Sequence, residues 1–133
     1  MSRIIIRVKE VMKTDFDCID GMTTVENALT AMQFQETKML VVNKRDENDE
    51  YGVVLISDVA KQVLAKDRAP ERVNVYEIMT KPALSVHPEM DIRYCARLFE
   101  NVGLSRMLVV ENSSIVGVVS YTDLVLKGLC KQS

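Results

Sequence analysis

"GVVLISDV" at residues 52–59 and "GVVSYTDL" at residues 117–124 spell nearly the same phrase, each with an aspartate six residues after its glycine. Working outward from them, "KMLVV" (38–42) matches "RMLVV" (106–110), and "VKEVMK" (8–13) matches "VYEIMT" (75–80), all in the same order. The mismatches are a one-residue adjustment before MLVV and a longer connection, "NKRDENDEY" against "ENSSIV", before the glycine. Both fall where loops tolerate change. The chain therefore reads as an internal repeat: residues 1–66 form the first copy with its leading segment, residues 67–133 the second, and the two together make one module.

Each copy predicts the same string of elements. After an extended piece around Ile19 or Val86, apolar residues recur at helical spacing: Val25, Ala28, Leu29 and Met32 in the first copy, Ile92, Cys95, Ala96 and Phe99 in the second. Thr23 or Thr24 offers the hydroxyl cap of the first helix and Asp91 the carboxylate cap of the second. Two short valine-rich runs follow as adjacent strands. A second helix comes after each aspartate, with Ala60, Val63 and Leu64, or Val125, Gly128 and Leu129, as its expected inner face. The fold class is α+β (α/β-like), built from two β-α-β-β-α units. A unit of about 60 residues is marginal alone, so the two are expected to pack sheet to sheet about a pseudo-twofold axis, leaving clefts in which small ligands settle.

Composition narrows the functions. With 47% apolar and 27% charged residues and a net charge of -2, the chain has no basic footprint for nucleic acid or an anionic membrane. "MSRIIIRVKE" is too short an apolar run for a signal peptide, and nothing approaches a membrane span. Cys18, Cys95 and Cys130 are too widely spaced for a zinc motif and read as reduced thiols, so the expected compartment is the cytoplasm. His87 is the single histidine, lies before Pro88 at a helix entry, and lacks a triad partner. No phosphate-binding glycine loop, nucleophile elbow or metal-ligand cluster is present, so no enzyme is expected.

The repeated phrase carries the remaining chemistry. Ser120, Thr122 and Asp123 fall where a strand ends and a helix begins, a place that favours an anion. Asp123 adds a carboxylate that can accept hydrogen bonds from a vicinal diol, and Gly117 lets a backbone or ligand approach closely. The same residue types are the preferred helix caps. A nucleotide site and a pair of structural caps both remain open at this point.

The motifs V-x-x-I/V-M, (K/R)-M-L-V-V and G-x-x-S/T-x-x-D, in that order and twice over from Val8 to Leu129, resemble tandem CBS domains, the pair called a Bateman module. The resemblance implies a regulatory module that binds AMP, ADP, ATP or S-adenosylmethionine between its repeats and signals to a partner protein in trans. It also implies a homodimer, and no cofactor beyond the regulatory adenine nucleotide. Carried over by position, Asp123 is the ribose ligand, Ser120 and Thr122 are its hydroxyl neighbours, and Gly117 opens the motif. Ser105 and Arg106 then approach phosphate, while Pro82, Ala83 and Leu84 line the adenine pocket. In the first copy Asp58 and Ser57 are in place, but Leu55 stands where a hydroxyl belongs, so Asp58, Ser57 and Lys38 form a weaker second site. A ligand-independent dimerisation or protein-interaction module is the alternative.

Overall fold

The computed structural model describes residues 4–129, so Cys130 falls outside it. The chain opens with a single helical turn, α1 (Val8–Val11), and then enters strand β1 (Asp17–Ile19). A parallel partner cannot be reached through a tight turn, and α2 (Val25–Ala31) supplies the crossover to β2 (Met39–Val42). Of the two candidate caps Thr24 is the one used: its hydroxyl oxygen accepts the Asn27 amide at 3.2 Å. Every residue of β2 is buried because the strand is central, with parallel β1 on one side and antiparallel β3 (Gly52–Leu55) on the other.

A helix, α3 (Ile56–Val59), follows β3 and continues as a wider π turn over Ala60–Leu64. The second copy repeats the plan with β4 (Ser85–Val86), α4 (Ile92–Val102), β5 (Arg106–Glu111) and β6 (Ser114–Ser120), ending in α5 (Asp123–Leu129), which has π geometry. Asp91 caps α4 by accepting the Arg93 amide at 2.9 Å. Gly103, at φ 71°, ends it in the left-handed conformation that glycine adopts without strain. The molecule is thus α+β, with two three-stranded sheets ordered β1-β2-β3 and β4-β5-β6.

The inner faces expected for α3 and α5 are only half right. Val63 and Gly128 are buried, but Leu64 is 78% and Leu129 58% exposed, Ala60 and Val125 are exposed, and Leu124 is the buried leucine of α5. A π turn closes hydrogen bonds from i to i+5 and so carries more residues per turn than an α-helix. A face laid out at 3.6 residues per turn slips along it. Gly128 sits so close to α4 that a Cβ there would lie 2.5 Å from Ile92 Cδ1.

By contact the described residues divide into one unit of residues 4–15 and 84–129 and another of residues 16–83. The leading segments explain this division. Lys13 pairs with Val118 of β6, and Thr80 pairs with Val53 of β3, so each leading segment docks on the sheet of the other copy. Each unit has its own core. Val8, Val11, Phe99, Met107 and Val109 fill one, and Val25, Leu40, Val54, Val75 and Ile78 fill the other.

Candidate functional site

The β6–α5 junction is built on a reciprocal pair of side chains. Ser120 ends the strand; its amide and hydroxyl both donate to Asp123 Oδ2, at 3.0 and 3.1 Å, and its hydroxyl oxygen accepts the Asp123 amide at 3.2 Å. This is a capping box, in which two otherwise orphaned donors are satisfied at once. The second oxygen, Oδ1, faces two cations: Lys13 Nζ bonds it directly and Lys127 Nζ lies 3.5 Å away. Asp123 is only 2% exposed, and a carboxylate buried that deeply requires such partners. Gly117 allows the approach of Lys13, since a Cβ there would stand 2.7 Å from the Lys13 carbonyl oxygen and from Met12 Sδ.

Several expected residues gather around this junction. Arg106 lies opposite Ser120 in the β5–β6 register, and its guanidinium bonds Ser105 Oγ at 3.1 Å. The Ser105 carbonyl accepts the Tyr121 amide. Thr122 is beside them and exposed. Leu84 belongs to the same unit, where its carbonyl accepts the Leu108 amide. Pro82 and Ala83 belong to the other unit, with Asp58, and there Ala83 bonds Tyr51 at the end of β3 remote from that aspartate.

The first copy has a reduced version of the junction. Asp58 Oδ2 accepts the Leu55 amide at 2.9 Å, but Leu55 returns no hydroxyl and Ser57 is exposed. The Lys38 carbonyl accepts the Ile56 amide while its side chain is exposed.

The family model of the CBS domain matches this chain twice, over residues 8–65 and 75–128. The chain belongs to the CBS-domain family. It is a tandem CBS pair, and solved structures agree. A hexameric CBS-CP12 protein from bloom-forming cyanobacteria is 31% identical, with a TM-score of 0.90 over 99% of this chain and 78% of its own. The CBS domain pair of protein MJ0100, solved with 5′-methylthioadenosine and S-adenosyl-L-methionine, shares the fold at 22% identity, a TM-score of 0.78, and 96% and 100% coverage of the two chains. A CBS domain protein from Pyrobaculum aerophilum complexed with AMP shares it at 20% identity, a TM-score of 0.79, and 93% and 94% coverage. The chain spans about half the length of the curated relatives it first matches, 52% and 58%.

Within this CBS pair, Lys13 and Lys127 are the site neighbours that the motif pattern does not name. The repeat comparison carries a signal for the first: Lys13 stands where the second leading segment has Thr80. Lys127 sits four residues after Asp123, the spacing that brings helical side chains together. Burial pushes the Cys95 thiol up to about 11, and burial followed by the Asp17 charge raises that of Cys18, so both are protonated at neutral pH. Among the described residues no three His, Cys, Asp or Glu side chains converge as metal ligands would, and no helix is long and apolar enough to cross a membrane.

Proposed function

We propose that this CBS pair is a regulatory module of the cytoplasm, not an enzyme, that binds an adenosine-containing nucleotide through Asp123 and passes the signal to a partner protein in trans. The observation that carries the reading is the buried Asp123 carboxylate, with one oxygen bonded by Ser120 and the other facing the ammonium groups of Lys13 and Lys127. AMP in one protein of this fold, and S-adenosylmethionine and methylthioadenosine in another, support the ligand class.

On this reading the ribose hydroxyls replace Lys13 at Oδ1, and the displaced ammonium turns to the phosphate. Lys13, Lys127 and Arg106 then favour AMP, ADP or ATP over the cationic S-adenosylmethionine. The Lys13 backbone is tied by two hydrogen bonds to Val118. Moving its side chain therefore biases the segment that carries the chain from one unit into the next, and a partner with different affinity for the two states reads the shift. Ser105 and Ser120 assist at the phosphate and ribose and Leu84, of the same unit, at adenine; Pro82 and Ala83 lie in the other unit, where Asp58 with Ser57 and Lys38 makes a weaker second site.

A second reading, a dimerisation module that needs no ligand, is favoured by the exposed Val125, Leu126 and Leu129 on α5. Homodimerisation through this helix is compatible with both readings. Thermal unfolding separates them. A ligand at 100 times its dissociation constant adds about 2.7 kcal/mol, a shift of several degrees. One adenine nucleotide should stabilise the wild type and Asp58→Ala but leave Asp123→Ala unmoved. If no adenosine compound moves the wild type, the aspartates are caps alone.

A further inference from the structure

At the end of the β1-β2-β3 sheet opposite Asp58, the structure holds a cavity of about 450 Å³. Val42, Met79, Met22 and Tyr76 line it with apolar surface, and Arg45, Lys81 and Asp20 line it with charge. None of the residues assigned above to nucleotide binding takes part.

Matching hydrogen bonds locate the same place in the second repeat. The Met22 amide donates to Asp20 Oδ1 as the Glu89 amide donates to His87 Nδ1, and the Tyr76 amide donates to the Gly21 carbonyl as the Lys9 amide does to that of Pro88. Met22 therefore corresponds to Glu89, and Tyr76 to Lys9. In the second repeat charges bridge the place: Lys9 Nζ bonds Glu89 Oε1 at 2.6 Å, Arg7 Nε lies 3.6 Å from Glu89, and His87 Nε2 lies 3.8 Å from Glu111. In the first repeat the bridging pair is replaced by a methionine 69% exposed and a tyrosine 48% exposed, around an open hollow. Large apolar side chains lining a concavity with a few polar groups at its rim are the usual make-up of a small-molecule site.

The lining also selects the ligand. Methionine sulfur and a tyrosine ring pack favourably on a flat aromatic body. At the rim, Asp49 pins both cations: Lys81 Nζ bonds it at 2.7 Å and Arg45 Nε at 3.1 Å. An ammonium has three donors and a guanidinium five, so one carboxylate leaves several unused. Of the acidic groups, Asp20 lines the cavity itself and accepts the Met22 amide, whereas Asp46 faces Arg45 and Asp49 holds both cations from outside the lining. The lining itself therefore holds two cations and one carboxylate, a surplus of donors. We propose that this cavity binds a flat aromatic or heteroaromatic ring carrying one anionic group, at a site separate from the Asp123 junction.

The test is a titration of the whole chain, methyl-labelled at methionine, with 2-naphthoate, read by NMR. Saturable shifts are expected at the Met22 and Met79 methyls, with binding about tenfold weaker for neutral 2-naphthamide and for the Lys81→Gln variant. Asp123→Ala should bind 2-naphthoate as the wild type does. The double variant Met22→Glu, Tyr76→Lys installs the ion pair that the second repeat already carries. It should keep the wild-type circular dichroism and lose the shifts. Absence of saturation at millimolar 2-naphthoate, equal binding of the amide, or undiminished shifts in the folded double variant would each overturn the proposal.

Discussion

Asp123 and Asp58 begin from the same motif and end in different states because of their neighbours. Asp123 has a serine to complete its cap and two lysines on its free oxygen, and it is buried; Asp58 faces Leu55, keeps one amide, and stays partly exposed. A third aspartate gives a test at this scale. Lys81, then the Arg45 amide and guanidinium, hold the Asp49 carboxyl well below its ordinary 3.8. A carboxyl depressed in the folded state contributes stability that is present above its unfolded value and lost as pH falls. The stability gap between wild type and Asp49→Asn, measured by urea unfolding, should therefore be widest near neutral pH and close as pH drops below about 4. A gap that stays constant into acid would show that the Lys81 and Arg45 pairs do not stabilise the fold.

At the scale of elements, the helix between the parallel strands and the helix after the aspartate obey different rules. α4 is a regular helix whose Phe99 is fully buried and meets the Tyr121 ring edge-on at 5.0 Å. Phe99→Ala should cost about 3–5 kcal/mol in urea unfolding. Leu64→Glu, on the π turn, should change stability by no more than about 0.5 kcal/mol, because the side chain already faces solvent. The period of Ile92, Cys95 and Phe99 made α4 legible, as the valine runs did β2 and β5, since local pattern and burial agree there. The inner faces of α3 and α5 were not legible, because the π turns over Ala60–Leu64 and Asp123–Leu129 shift a face laid out at 3.6 residues per turn. At the candidate site, the motif spacing placed Ser120 and Asp123 at one strand-to-helix junction, where they pair. The bond from Lys13 to Asp123 joins residues 110 positions apart and depends on which sheet the leading segment docks against.

At the scale of the whole molecule, that docking decides which residues share a core. Val8 and Val11, near the start of the chain, are buried with Phe99 and Val109 of the second copy. The double variant Val8→Ala, Val11→Ala should therefore speed hydrogen exchange in the strands of residues 85–120 more than in those of residues 17–55; the reverse pattern would contradict the exchanged leading segments. The same docking brings Lys13 to Asp123, so fold and proposed function meet at one ion pair. Isothermal titration of AMP into the wild type and into Asp123→Ala, side by side, tests that meeting point most directly. Saturable binding of one AMP per chain in the wild type, lost in a folded Asp123→Ala protein, is the predicted result. Equal binding by both proteins, or no heat from either with AMP, ADP or ATP, would contradict it and leave Asp123 as the cap of α5.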